Sequence, residues 1–478
     1  MRSTQRARVS PGAALGLALL AACATNPVTG ERQLALISEA QEIEIGREAA
    51  AQIPATIGLV DDEELQNYVA RVGLELARQS ERPNLPWSFG AVDDPTPNAF
   101  ALPGGFIYVT RGLLGLMNSE AQLASVLGHE IGHVTARHSV TMISRQQLAQ
   151  LGLGLGGILV PEIQAFGGAL GAGLELLFLK YGRDAERQAD ELGFRYALNQ
   201  NYDVREMPNV FRTLERAGGE ERSALPAWLS THPAPLERAR QVEEWIAALP
   251  ANGRGSRVEQ AQYLNRIDGL VFGVNPRHGF FEEDTFYHPD LRFQFSIPSG
   301  WAGQNTPQAV QLISQNRDAA LQLTLVSGDP DAATREFFSQ QGIQAGQPTR
   351  TSINGLRAVV TPFQASTQQG VLRGLVAHIA HGGRTYQLLG FTPSGRYGAY
   401  GNTFERVIGS FRPVTDRRVL DVQPRRLDIV RLSEATTLQA FARAHDSPVP
   451  IEELALINQV EGASSTLQPG ALVKRVVQ

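Results

Sequence analysis

His129-Glu130-Ile131-Gly132-His133 sets two imidazoles four residues apart with a carboxylate beside the first. On a helix that spacing brings both rings to one face, one turn apart, where they can share a zinc ion at about 2.0–2.1 Å. Glu130 then lies beside the ion's open position, placed to take a proton from water. The chemistry is metal-assisted hydrolysis. Two ligands are too few, because a catalytic zinc takes three protein ligands plus water. A third His from the same segment needs Gly and His where this chain has Ala136 and Ser139, so that route is closed. His138 lies nine residues after His129, about half a turn round a continuous helix, and is expected behind the ligands or at the surface. The other route is a Glu from a second helix. Glu186 and Asp190 stand i and i+4, so both project from one face. Glu186 can bind the metal while Asp190 accepts a hydrogen bond from a ligand His and fixes its tautomer. Glu162, Glu175 and Glu191 have no carboxylate one turn on.

The elements around these residues must hold two helices face to face. Ser38-x-x-Gln41 has the capping-box form and predicts a helix through Ile53; Asp61 to Gln79 carries a helical recurrence of Leu and Val. Trp87 to Val92 and Phe106 to Thr110 read as strands, parted by turn-rich segments that include Pro103-Gly104-Gly105. The strand Phe106-Ile107-Tyr108-Val109 is a candidate edge for pairing with an extended peptide, or a core strand. Ser119-x-x-Gln122 is a second capping box and opens the helix with the two His. Leu148 to Leu179 is apolar and glycine-rich, interrupted by Pro161-Glu162. It reads either as a buried helical hairpin or as a segment resting on a membrane. Asn252 to Ser256 is expected to be a domain boundary. Beyond Asn275 the pattern turns to alternating strands with a helix at Ala332 to Gln341, an α+β domain ending near Ser410-Phe411-Arg412.

The chain has 478 residues, 42% hydrophobic and 19% charged, with a net charge of −5. That composition suits several globular domains and gives no support to a nucleic-acid partner. Arg2, Arg6 and Arg8 precede an apolar run from Ala13 to Leu20, too short to span a bilayer, and then Leu20-Ala21-Ala22-Cys23. This reads as a cleaved export signal, and the segment resembles a bacterial lipobox whose Cys23 becomes the lipidated N-terminus. Cys23 is the only cysteine, so no disulfide is available. Ala24, not Asp, follows it; by resemblance to Gram-negative lipoprotein sorting, that implies the periplasmic face of the outer membrane.

Taken together, several spaced motifs resemble a known family. Asn98-Ala99-Phe100-Ala101-Leu102-Pro103-Gly104-Gly105, His129 to His138, Arg183-x-x-Glu186-x-x-Ala189-Asp190 and Thr231-His232-Pro233 occur in the order found in the zinc metallopeptidases that include the type I CAAX prenyl endopeptidase, the bacterial heat-shock membrane protease and the periplasmic proteases that police outer-membrane β-barrel assembly. Gly182 stands where that family usually has Ser, and the tetratricopeptide repeats of its best-known periplasmic members are absent. The resemblance implies one zinc ion on His129, His133 and Glu186, with Glu130 as general base and Asp190 and Arg183 supporting the ligands. It implies Asn98, Phe106, Ile107 and Tyr108 near the substrate. It also implies a place for His232 close to the zinc, where it can occupy the water position and make the enzyme latent.

The expected fold is multidomain α+β. Residues 1–22 are the signal peptide and 23–34 a linker. Residues 35–252 resemble a mainly helical gluzincin-type metalloprotease domain with a small sheet. Residues 275–415 resemble a PsbP-like α+β sandwich, on Phe295-Ser296-Ile297-Pro298-Ser299-Gly300-Trp301 and Ser410-Phe411. Residues 425–478 resemble a LysM module, on Thr436-Thr437-Leu438-Gln439, Glu452-Glu453-Leu454 with Asn458, and Leu467-Gln468-Pro469-Gly470, with Ala435-Thr436 where such modules carry Gly-Asp. That tail is either a binder of N-acetylglucosamine glycans such as peptidoglycan or a structural cap. Two functions stay open: an endopeptidase acting on unfolded or misassembled envelope proteins, and a latent, chaperone-like or glycan-tethered scaffold.

Overall fold

The computed structural model describes residues 23–150, 180–218, 228, 231–367 and 370–478. The expected export signal, residues 1–22, and nearly all of the apolar 148–179 stretch lie outside the described residues. The backbone of Cys23 pairs with Leu34 in a hairpin of β1 (Cys23–Thr25) and β2 (Arg32–Leu34). No described helix is long and apolar enough to cross a membrane. The chain forms two compact units: one holds the chain up to Pro54, Gly58–Gly273 and Arg426–Val477, the other Val274–Arg425.

In the first unit, α1 (Glu39–Thr56) opens with the reciprocal box that its sequence predicts. Gln41 N donates to Ser38 Oγ at 3.3 Å and Ser38 N to Gln41 Oε1 at 2.9 Å. The helix α2 (Glu63–Ala77), capped by Asp62, turns Leu65, Val69, Val72 and Leu76 into the core. A three-stranded sheet follows, of β3 (Ser88–Val92), β4 (Ala99–Leu102) and β5 (Phe106–Thr110), in the order β3-β5-β4. The β3-β5 pair is parallel and β4-β5 antiparallel, reversing at Gly104 and Gly105 with φ of 78° and 105°, values that L side chains rarely adopt. The central strand is therefore β5, with hydrogen-bonding partners on both sides; it is not the edge considered from its sequence. Among the described residues the outer strands of this sheet are β3 and β4.

Further helices of this unit are α3 (Arg111–Leu116), α4 (Glu120–Thr135), α5 (His138–Gln150), α6 (Arg183–Asn199), α7 (Met207–Ala217), α8 (Pro235–Ala248) and α9 (Gln260–Arg266). Every residue of α4 is buried. Its apolar residues point in several directions, as a helix enclosed on all sides requires. On the side towards α6 it carries Gly128 and Gly132. A Cβ on Gly128 would meet Gly193 Cα at 3.1 Å, and one on Gly132 would meet Ala189 Cα at 3.0 Å. The two helices thus touch backbone to backbone.

The segment Asn252 to Ser256 is interior to this unit rather than a boundary. Asp203 N donates to Arg257 O at 3.0 Å and Val204 N to Arg254 O at 3.1 Å, and the unit runs on through α9 to Gly273. The tail folds into the same unit. Strands Arg426–Arg431 and Leu472–Val477 pair antiparallel, with helices Leu438–Ala444 and Ile451–Ile457 between them in sequence. Leu438, Phe441, Leu454 and Val476 share one apolar core with Leu114, Met117 and Val210. Local patterning made 425–478 look free-standing, but its apolar faces are completed by residues hundreds of positions earlier.

The second unit is α+β. It has an eight-stranded antiparallel sheet from strands between Ala302 and Pro393, and a four-stranded one that includes Thr285–His288 and Phe293–Ser296. Helices Pro330–Ser339 and Tyr397–Ser410 complete it, around Phe286, Phe293, Phe295, Tyr386, Phe404 and Phe411.

Candidate metal centre

The backbone contact between α4 and α6 brings three side chains to one point. His129 Nε2 and His133 Nε2 face each other at 3.0 Å. Glu186, from the first turn of α6, sets Oε2 3.6 Å from His129 Nε2 and Oε1 3.5 Å from His133 Nε2. His232 adds Nδ1 at 3.3 Å from His129 Nε2 and 2.9 Å from Glu186 Oε1. One ligand atom from each of these four buried residues lies within 4.8 Å of all the others. Tetrahedral ligands about 2.0–2.1 Å from a zinc ion stand roughly 3.3 Å apart, so the spacing fits such an ion.

The outer nitrogens are already engaged, which decides the tautomers. His129 Nδ1 is 2.8 Å from Asp190 Oδ1 and donates to it, leaving Nε2 as a lone pair aimed inward. His138 Nε2 lies 2.9 Å from Gln188 Oε1, and its Nδ1 lies 2.9 Å from His133 Nδ1. Gln188 Oε1 can only accept, so His138 donates from Nε2, accepts at Nδ1 from His133, and leaves His133 Nε2 free for the ion. His138 thus stands behind a ligand, as its sequence position suggests, but not by continuing the helix: α4 ends at Thr135 and Arg137 takes a left-handed conformation, φ 60°. Tyr181 stacks on the His133 ring with centroids 3.9 Å apart, while its hydroxyl lies 2.9 Å from Ser139 Oγ.

Arg238 of α8 clamps both carboxylates of α6. Its Nε and Nη2 donate to Asp190 at 2.8 and 2.6 Å, and Nη1 lies 3.0 Å from Glu186 Oε2. The guanidinium lies over the rings of Phe211 and Trp228 at 4.5 and 4.7 Å. Two buried carboxylates need a cation, so the Glu186/Asp190 pair signalled such a partner without saying which Arg supplies it. Arg183 does not. As the first residue of α6 it is exposed, because helical side chains lean towards the N-terminus and this one leans off the end.

The charges follow from these contacts. Burial opposes ionisation of Asp190, but Arg238 overcomes it and holds the carboxyl down at about 2. Burial likewise opposes Glu186, and His232 and Arg238 reverse that and lower it. Burial and three neighbouring imidazoles keep His133 neutral, the form that binds metal. Glu130 is raised, chiefly by burial, and its Oε1 is buried with no hydrogen-bond partner, 3.7 Å from His232 Nε2. A carboxylate so placed is ready to exchange a proton with a molecule entering the site.

Asn98 is half-buried directly before β4. Its backbone is tied to Thr110 Oγ1 at 2.9 Å, and its Oδ1 is buried without a partner. Phe106, Ile107 and Tyr108 are buried in β5, away from a free edge.

Residues 63–246 match the model of peptidase family M48. All the residues gathered at the centre lie within the M48-matching segment. The mitochondrial metalloendopeptidase OMA1 of Schizosaccharomyces pombe is 34% identical over 186 residues, which cover 37% of this chain and 52% of that protein. The beta-barrel assembly-enhancing protease of Escherichia coli K12 is 30% identical over 225 residues, 45% of each chain. The chain thus spans about half the length, or less, of these curated relatives. Among solved structures, PsbP from the cyanobacterium Synechocystis aligns with 27% of this chain and 91% of its own at 17% identity and a TM-score of 0.23, a likeness too slight to carry an argument.

Proposed function

We propose that this chain is a zinc metalloendopeptidase of the cell envelope, held by a lipid on Cys23 and acting on unfolded or misassembled envelope proteins. One observation carries the reading: two inward-facing Nε2 lone pairs and the Glu186 carboxylate converge beside the unpartnered Oε1 of Glu130. His129, His133 and Glu186 would hold the ion. A zinc ion there supplies Lewis-acid polarisation of the scissile carbonyl and lowers the pKa of water. Glu130 takes the water's proton and delivers it to the leaving amine. Asp190, fixed by Arg238, holds the His129 ring in position. An extended substrate would pair with β4, the sheet edge against α4. The envelope location is supported by the export-signal and lipobox pattern, and the kind of substrate by the likeness to the Escherichia coli beta-barrel assembly-enhancing protease.

Zinc content and casein turnover, measured on the wild type and Glu130→Gln, test this reading. One zinc per chain in both, with turnover in the wild type alone, is the expected result; general-base loss costs about 10²–10⁴-fold. Zinc in both with turnover in neither would favour the scaffold reading. A specific observation supports that second reading: His232 stands among the ligand atoms, 3.3 Å from His129 Nε2, where a fourth protein ligand closes the site.

A further inference from the structure

The last four carbonyls of a helix have no partner within it and must find one elsewhere. At the end of α3, just before the helix that carries His129 and His133, every carbonyl from Leu114 to Met117 is met by a side chain. Tyr263 Oη donates to Leu114 O at 2.6 Å. The other three donations come from the tail. Lys474 Nζ donates to Gly115 O at 2.7 Å and Met117 O at 2.9 Å, and Gln459 Nε2 donates to Leu116 O at 2.9 Å. Lys474 is fully buried, which pushes its pKa well down, and its Nζ has no access to water to compensate for a lost carbonyl. Its own backbone is locked to Asn458, which accepts from Lys474 N and donates to Lys474 O, both at 2.8 Å.

Gln459 reaches further, into α4 itself. Gln122, in the first turn of α4, and Gln459 exchange amide hydrogen bonds of 2.8 and 2.9 Å. Gln122 also accepts from Asn118 N at 2.7 Å and donates to Glu206 at 2.7 Å. The Ser119 box is accordingly half-formed: Gln122 N bonds Ser119 Oγ at 3.2 Å, but the Gln122 side chain has gone to the tail. Gln459 thus bridges the α3–α4 turn while Lys474 holds the end of α3, at contacts 337 to 359 residues apart in sequence.

We infer that Lys474 and Gln459 are positioning residues for the proposed active site. By bonding the end of α3 and the first turn of α4 they fix where α4 starts, and so where His129, Glu130 and His133 stand relative to Glu186. The inference rests on the peptidase reading for its effect on turnover, and on geometry alone for its effect on the metal centre.

The experiment compares full-length wild type, Lys474→Met and Gln459→Asn. Asparagine tolerates the left-handed conformation of Gln459, φ 55°, but is too short to reach Leu116. Four readings are taken on each: circular dichroism with thermal melting, the visible spectrum of the cobalt-substituted protein, amide hydrogen exchange, and kcat and KM on casein. In variants that melt cooperatively, kcat should fall by about 10²-fold with KM nearly unchanged, as misplacement far from the chemistry does. The cobalt spectrum should shift, and amide exchange at residues 118–124 should quicken. An unchanged cobalt spectrum and unchanged exchange in folded Gln459→Asn would overturn the inference, whatever becomes of Lys474→Met. If the wild type itself has no turnover, the peptidase reading fails, and the spectrum and exchange still decide the positioning role.

Discussion

Gly193 of α6 lies so close to His129 of α4 that a Cβ on the glycine would stand 2.7 Å from the His129 amide nitrogen. The imidazole of His129, a proposed zinc ligand, and the helix that brings Glu186 are thus in register through a missing side chain. Gly193→Ala should force α4 and α6 apart at a cost of about 1–3 kcal/mol. It should also weaken zinc binding, because Glu186 retreats from the two imidazoles. Gly182→Ala is the control: its Cβ would meet nothing within 4 Å, and a change within about 0.5 kcal/mol is expected. Urea unfolding and zinc competition with a chromophoric chelator measure both. Equal zinc affinity in the two variants would count against this account.

Asp190 and Arg238 form a bidentate pair behind His129. Asp190→Asn keeps the shape but gives up the charge-assisted bond to the ligand ring, and zinc affinity should drop by about 10–100-fold. Arg238→Met leaves two carboxylates buried without their cation, which should cost about 3–5 kcal/mol of stability. The arginine variant should be the less stable of the two on urea titration. The reverse order would contradict the clamp.

Glu120, buried at the start of α4, accepts from Arg71 at 2.7 Å and from Tyr202 at 2.8 Å. Burial opposes its charge, but Tyr68, Arg71 and Tyr202 together outweigh burial, so its carboxyl titrates below the ordinary glutamate value. A folded pKa below the unfolded one contributes stability that is present above the unfolded value, near 4.5, and lost as pH falls through the folded one. Glu120→Gln should therefore be less stable than the wild type at pH 7, with a gap that narrows on going to pH 3. Denaturant titrations at the two pH values read the gap directly, and a gap independent of pH would contradict the assignment.

His232 bonds Glu186 through Nδ1 at 2.9 Å and lies among the ligand atoms. If it closes the centre at rest, His232→Ala should raise basal casein turnover while zinc content stays at one per chain. Lower turnover in the folded, zinc-loaded variant would instead assign His232 to transition-state stabilisation.

Sequence alone carried the local chemistry far. The His129/His133 spacing and the Glu186/Asp190 spacing are each a single helical turn, so one helix apiece dictates which side chains share a face. The capping residues Ser38 and Ser119 mark helix starts for the same local reason. What sequence could not contain was every relationship between elements. Arg238 meets Asp190 across 48 residues, Lys474 meets Gly115 across 359, and β5 has neighbours on both sides only once β3 and β4 have paired with it. These contacts have no period or spacing to read. They follow from which apolar faces are buried together, and that is settled only when the whole core, tail included, has packed.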